Sequence, residues 1–266
     1  MDENVQRLLD REGTGISWAH LTFNPWLGCQ KTGSPACEHC YAETFVEGRL
    51  GALGVRWGPG QERRKTAKGT WQKIARWQRI AAAAGVTLNV FSGSLCDIFD
   101  NAVPDEWRIQ LGAEIIASPN LRWMLLTKRI GNARKMLEAM FPEGVPANVA
   151  LGVTICNQTE ADRDMPKALA VKKALGVHRL FLSGEPLMGC LDLLPYLPAL
   201  DLVIVGGESG KDARSMPDYW PRAIRNQCAA MRTPFHFKQL SQADHPGTYN
   251  KPDTFHPEFQ IREHFE

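Results

Sequence analysis

The sequence predicts an α/β fold, a partial or modified TIM barrel of about six to seven parallel strands, and three observations point there. Short apolar runs, often β-branched, recur along the 266 residues; helix-like stretches separate them; and hairpin signals are few. In chain order the strand candidates are Ile16 to Phe23, Thr87 to Phe91, Leu121 to Leu126, Val149 to Ile155, Arg179 to Leu182, Leu202 to Val205 and Phe235 to Phe237. Runs this short and this apolar suit strands buried on both faces.

The helices between them carry their own signals. Thr70 to Ala84 is rich in Ala, Arg, Lys, Gln and Trp, and Asp105 to Ala117 begins just after Pro104. Gly131 to Met140 stops before Pro142, and Asp162 to Leu175 stops at Gly176. Pro221 to Met231 opens on proline, where the missing amide costs nothing. Two stretches break the rhythm. One is an irregular basic insertion over about 48–70, with four glycines in Leu50 to Lys68 together with Arg56, Arg63, Arg64, Lys65 and Lys68. The other is a polar, Pro/His-rich tail over about 241–266, expected to wrap the outside or the end of the barrel. The reading is one domain over 1–266 with its core at about 16–240.

Composition bounds the function classes. With 44% hydrophobic and 23% charged residues the chain is globular, and a formal net charge of +2 excludes a strongly cationic, histone-like surface. No apolar run approaches the length of a membrane span, so no membrane partner is expected. The start, Met1-Asp2-Glu3-Asn4-Val5, does not read as a leader, and seven cysteines, an odd number, suit a reducing cytoplasm. Cys156, Cys190 and Cys228 read as small core hydrophobes, while Cys96 sits at a strand end.

Polar residues follow nearly every apolar run, and in a barrel that is where chemistry gathers. Strand one runs into Asn24-Pro25-Trp26-Leu27-Gly28-Cys29, the second ends in Ser92-Gly93-Ser94-Leu95-Cys96-Asp97, and the third in Thr127-Lys128-Arg129. The later ones end at Asn157, at Glu185, at Gly206-Gly207-Glu208 and at Lys238. Any one of these Ser, Asn or Asp residues could simply cap a helix. Lys128, Arg129 and Lys238 could clamp a carboxylate or phosphate, or else pair with Glu185, Glu208 or Asp97. Trp26, Trp57, Trp71 and Trp77 lie near basic residues and could stack on bases or pack in the core. The glycine run suits close backbone approach to a nucleotide, yet fits neither the P-loop nor the Rossmann pattern.

The strongest local feature is Cys29, Cys37 and Cys40, spaced by seven residues and then two in a Gly/Pro/Ser loop. Three thiolates can hold three irons of a [4Fe-4S] cluster and leave the fourth open. A zinc ion would want a fourth ligand, for which His39 and His20 are the candidates, and spacing alone leaves cluster and zinc level.

Several strings together resemble the phage-associated Gp37/Gp68-like family of uncharacterised proteins. They are Ile16-Ser17-Trp18, Thr22 to Cys29, Cys37-Glu38-His39-Cys40-Tyr41-Ala42-Glu43, Ser92-Gly93-Ser94 with Cys96-Asp97, Leu125 to Arg129, Phe181 to Leu187, Val203 to Gly210 and Phe235 to Gln239. That family looks like a divergent branch of the radical S-adenosylmethionine (radical SAM) enzymes. The resemblance implies a [4Fe-4S] cluster on Cys29, Cys37 and Cys40, with S-adenosylmethionine on the open iron. It also implies an external one-electron reductant and cleavage to methionine and a 5′-deoxyadenosyl radical. By strand order it implies Ser92, Ser94 and Asp97 near the SAM amino group, Lys128, Asn157 and Glu185 around ribose and carboxylate, and Gly206, Gly207 and Glu208 beside adenine or ribose. Lys128, Glu185 and Lys238 are the candidate catalytic residues. The sequence departs from the superfamily's usual spacing of three then two, and His39 stands where an aromatic is usual. The leading expectation is a cytoplasmic radical-SAM-like enzyme that modifies or repairs a substrate, a nucleic acid or nucleotide. The alternatives are a non-catalytic zinc- or cluster-stabilised nucleic-acid-binding module and a metal-independent nucleotide hydrolase using Glu185, Glu208 and Asp97.

Overall fold

The computed structural model describes residues 2–49, 51 and 54–265. Leu50, Ala52 and Leu53 of the expected insertion, and Glu266 of the expected tail, lie outside the described residues.

Helix α1 (Glu3–Glu12), capped by the Asp2 carboxylate on the Asn4 and Val5 amides, precedes the sheet. Strand β1 (Leu21–Phe23) leads through β2 (Trp26–Leu27) into the cysteine loop, which ends in α2 (Tyr41–Gly48) with Cys40 at its N-cap position. Strand β3 (Arg64–Lys65) returns antiparallel to β2. Then come α3 (Lys68–Ala83), β4 (Leu88–Ser92), α4 (Asp105–Ile116), β5 (Leu121–Thr127), α5 (Ile130–Met140), β6 (Val149–Thr154) and α6 (Gln158–Leu175). Strand β7 (Arg179–Gly184), β8 (Leu202–Gly206), α7 (Tyr219–Met231) and β9 (Phe235–Gln239) complete the chain of elements.

The main sheet has seven strands in the order β1-β4-β5-β6-β7-β8-β9, all parallel. Because spatial order follows chain order, the sheet winds one way, with α4, α5 and α6 packed neighbour to neighbour along it. This is the curled, partial (β/α) barrel, not a doubly wound sheet. The two outer strands, β1 and β9, do not pair with each other, so the barrel stays open along one seam.

Alternation along each strand explains the two cores. Leu121, Trp123 and Leu125 of β5, and Val149, Leu151 and Val153 of β6, face the helices in one large cluster. Met124, Ala150, Phe181 and Ile204 face the barrel interior with Phe91, Trp18 and Phe265. Gly152 is required there, because a Cβ would run into the Phe181 ring. The expected helices form almost as read, with Asn157 capping α6 at one end and Gly176, at φ 61°, at the other.

Three expectations change, and the open alternative for the tryptophans is decided. The first strand covers only Leu21–Phe23, since Ile16 to His20 turn back on themselves, through Ala19 N to Ile16 O at 3.1 Å, and set Trp18 into the interior. Cys190 is exposed rather than core. Trp26, Trp71 and Trp77 are buried, leaving Trp57 as the half-buried one of the four. Arg63 of the basic insertion is buried on Asp100, Nε to Oδ2 2.7 Å, so it braces the insertion instead of facing solvent.

The tail runs along the free edge of β9. Phe237 N donates to Ile261 O at 2.8 Å and Glu263 N to Phe235 O at 3.2 Å, which satisfies an edge that would otherwise be open to pairing. Phe265 then packs edge-on against Phe181 at the bottom of the barrel.

Candidate functional site

A cavity of about 360 Å³ opens at the C-terminal ends of the strands, within the range common for small-molecule sites. Cys29, Cys37 and Cys40 all line it, with Ser94, Cys96 and Asp97 after β4, Lys128 and Arg129 after β5, and Glu185, Glu208 and Lys238 from the β7 to β9 side. Inward positions of the strands put them there: residues 124, 126 and 128 share one face of β5, as do 181, 183 and 185 along β7. Trp18, Phe91 and Leu126 form an apolar floor.

Two arginine–carboxylate pairs grip the cysteine loop. On the β4–β5 side, Asp97 accepts from Thr127 Oγ1 (2.7 Å), Phe99 N (2.9 Å) and Lys128 N (3.1 Å), and from Arg129 Nη1 at 3.2 Å. Arg129 passes this on to the loop, donating from Nη1 to Cys29 Sγ at 3.3 Å and from Nη2 to Gln30 O at 2.7 Å. On the β8 side, both oxygens of Glu208 accept from Arg214, from Nε at 2.8 Å and Nη2 at 2.7 Å, and the Arg214 amide adds a third bond at 2.8 Å. Arg214 reaches the loop at Pro35 O (2.8 Å) and Glu38 Oε2 (2.6 Å), and His39 Nδ1 donates to Glu208 at 3.2 Å. Burial alone would raise the Glu208 pKa, but the Arg214 bonds outweigh it and hold it below the usual value.

The thiols answer to these charges. Burial pushes Cys29 up to about 11, Asp97 adds to the rise, and Arg129 works against it. Burial likewise opposes the Lys128 ammonium, yet the charges of Cys37, Cys40, Cys156 and Asp97 outweigh it and raise its pKa. Nζ of Lys128 makes no hydrogen bond or ion pair among the described residues, although its side chain lines the cavity. Across the mouth, Glu185 is held by Trp18 Nε1 (3.1 Å), Ser183 Oγ (3.2 Å) and Lys238 Nζ (2.5 Å). Ser94 exchanges hydrogen bonds with Asn24, and its carbonyl accepts from the Tyr41 hydroxyl at 2.8 Å.

Not every candidate from the sequence reaches the cavity. Ser92 is fully buried on the helix side of β4, one residue out of phase with Phe91. Asn157 spends its side chain as the α6 cap, accepting from Glu160 N at 2.9 Å. Gly206 lies in the bulge between β8 and β9 and does not line the cavity. Gly207 does line it, but its missing Cβ makes room for the backbone of Ser241 rather than for a ligand. His20 is spent elsewhere as well: its Nδ1 accepts from Asn89 N at 2.9 Å below β1, and His39 faces Glu208. Arg214 went unnoticed in the sequence because it lies in a polar loop, and although Glu208 is six residues away, only tertiary folding brings Pro35 and Glu38 to it. Cys96 and Tyr41 also join the lining.

Residues 13–254 match the family described as a protein of unknown function, DUF5131. The chain belongs to this family. No curated protein matches the sequence. Among solved structures, it is similar to a double mutant of spore photoproduct lyase with bound AdoMet and dinucleoside spore photoproduct. That match has 13% identity and a TM-score of 0.46, over 84% of this chain and 56% of the other. A single mutant of spore photoproduct lyase gives 14% identity and a TM-score of 0.43, over 82% and 55%. The chain thus spans just over half the length of those lyase structures.

The donor set bears on what the cavity can hold. Among the described residues, no three His, Cys, Asp or Glu side chains converge as ligands of one metal ion. Three thiols lining one cavity, with a guanidinium on the Cys29 sulfur and the Lys128 ammonium lining the same cavity, form a donor set compatible with a thiolate-held anionic group.

Proposed function

We propose that this protein is a radical-SAM-like enzyme acting on a nucleic acid or nucleotide. The observation that carries this reading is that Cys29, Cys37 and Cys40 line one cavity at the C-terminal rim of a partial barrel, despite the long first gap. Cys29, Cys37 and Cys40 would hold a [4Fe-4S] cluster. Bound there with S-adenosylmethionine and supplied by an external one-electron reductant, it contributes reductive cleavage of the sulfonium.

The remaining work falls to this chain's own side chains. Arg129 and Lys128 offset the negative charge of the ligating sulfurs. Lys238 and Glu185 form an oriented ammonium–carboxylate pair that can meet the complementary ends of an amino-acid group, and the Ser94 hydroxyl offers a further polar contact. Trp18, Phe91 and Leu126 keep water from the floor. At the rim, Tyr41 is 53% exposed and Trp57 is half-buried, and both offer faces on which a base can stack. Asp97 and Glu208 are consumed in holding the loop, so their role here is positioning rather than contact with cofactor.

Anaerobic reconstitution with iron and sulfide, quantified against zinc, tests the reading. About four irons per chain, lost in Cys37→Ala, are expected, followed by reductive release of 5′-deoxyadenosine from S-adenosylmethionine. One tightly bound zinc and no cluster would overturn it.

A further inference from the structure

The long gap between Cys29 and Cys37 places the two parts of the cysteine loop on opposite sides of the mouth, and each part has its own anchor. Cys29 and Gln30 are tied to β5 through Arg129. The segment from Pro35 to His39, which carries Cys37 and leads into Cys40, is tied to the loop after β8 through Arg214 and Glu208. No side chain is shared between the two anchors.

We infer that Arg214 is a positioning residue that sets the Cys37–Cys40 turn independently of Cys29, with Glu208 as its template; this rests on the cluster reading of the three cysteines. Three features support it. Arg214 makes its two loop contacts while a bidentate ion pair with a buried carboxylate fixes its guanidinium plane. The carboxylate takes a further bond from His39, so both sides of Cys37 in the chain, Pro35 and His39, are tied to one pair. The other contacts of that segment among the described residues are longer, exposed, or lie past Cys40: Ser34 Oγ to Cys156 Sγ at 4.0 Å, Thr32 Oγ1 to Cys37 Sγ at 3.5 Å, Lys31 to Glu38 O at 3.4 Å and to Glu43, and the Tyr41 hydroxyl to Ser94 O at 2.8 Å. A lysine at 214 could satisfy Glu208 or the loop, but not both in one plane.

Site-resolved alkylation of the metal-free protein, read by peptide mass spectrometry, tests this without relying on turnover. Cys37 is buried, so its reaction requires local opening. In Arg214→Ala, Cys37 and Cys40 should alkylate faster by on the order of tenfold, reflecting loss of charge-assisted bonds to the loop. Cys29 should stay near its wild-type rate, and Arg214→Lys should fall between. Reconstitution should give reduced iron in Arg214→Ala, restored in part by Arg214→Lys. Equal acceleration of all three cysteines would mean general loosening and overturn the inference, as would no acceleration at all. Glu208→Gln, with a milder change of the same selectivity, provides the same test should Arg214→Ala not fold. If the alkylation pattern holds while wild-type protein takes up zinc and no cluster, the clamp stands and the cluster reading falls. If wild type takes up the cluster and Arg214→Ala takes it up equally with unchanged alkylation, the clamp falls alone.

Discussion

The two ends of the barrel treat charge in opposite ways. At the mouth, ionised groups are kept and matched: Asp97 with Arg129, Glu208 with Arg214, Glu185 with Lys238. At the bottom, basic groups crowd together and the histidines among them are pushed towards the neutral form. Burial, helped by His264, Arg262 and Lys238, brings His236 down to about 3, partly opposed by the bond to Glu263 O. Burial and cationic neighbours lower His20 and His264 as well. His236 Nδ1 faces Glu263 O at 3.2 Å, so it donates there and Nε2 accepts from Ser17 at 2.8 Å, across the open seam. A closed end can be stabilised by dropping charge; an end that binds charged ligands has to hold it. The contrast sets the cavity-bearing end apart from the closed one.

Breaking the buried Asp97–Arg129 pair at the mouth should have the largest effect. Asp97→Ala leaves the nearly buried Arg129 without its carboxylate and unties β4 from β5. It should cost about 3–5 kcal/mol, read by denaturant unfolding, and a loss near zero would show that solvent reaches the pair.

The bottom should respond to acid. His236 titrates in the unfolded chain near 6.5 and in the folded one near 3, so the unfolded state gains the proton first. Stability from this group is complete above pH 6.5 and falls as pH drops toward 3, at up to roughly 1.4 kcal/mol per pH unit. In His236→Gln that part of the slope should vanish; an unchanged slope would assign the acid sensitivity to other groups.

At the mouth lies Gly207 too, where an added methyl meets Ser241 backbone. Gly207→Ala should cost about 1–3 kcal/mol and raise protease cleavage after residue 240, because the tail would lose its seat.

The smallest effect belongs to Glu208. Its folded pKa lies below the ordinary 4.5, so its contribution is present above that value and is lost as pH falls through the folded one. Glu208→Gln should be less stable than wild type by about 1 kcal/mol at neutral pH, and the gap should close in acid. A gap independent of pH would mean that packing, not charge, matters at this position.

Much of this architecture is legible in the chain itself. Buried parallel strands are continuous apolar runs, and proline and glycine mark helix ends, so Pro104 and Gly176 bound helices where the pattern says they should, whereas α6 starts at Gln158 behind its Asn157 cap rather than at Asp162. The same local logic misassigned Ser92: it adjoins Ser94 in sequence, but side chains alternate, and one residue separates the helix face from the mouth. Helix α1 is periodic, but it is so polar, with Val5, Leu8 and Leu9 its apolar residues, that it did not read as part of the barrel, and the short α2 and the two-residue strands β2 and β3 carried too little pattern to stand out.

By itself the sequence determined the singly wound α/β order, the three cysteines in one loop, and the polar residues at the strand ends, because each follows from local pattern. Only the tertiary structure decided which of those residues face the cavity. It also decided that Asp97 and Glu208 hold the loop and that a lone Arg214 anchors half of it. Those outcomes depend on contacts between segments more than 30 residues apart, such as Arg129 with Cys29 and Arg214 with Pro35. No local propensity encodes such distances; they exist once the strands have closed side by side and brought their ends to a common rim.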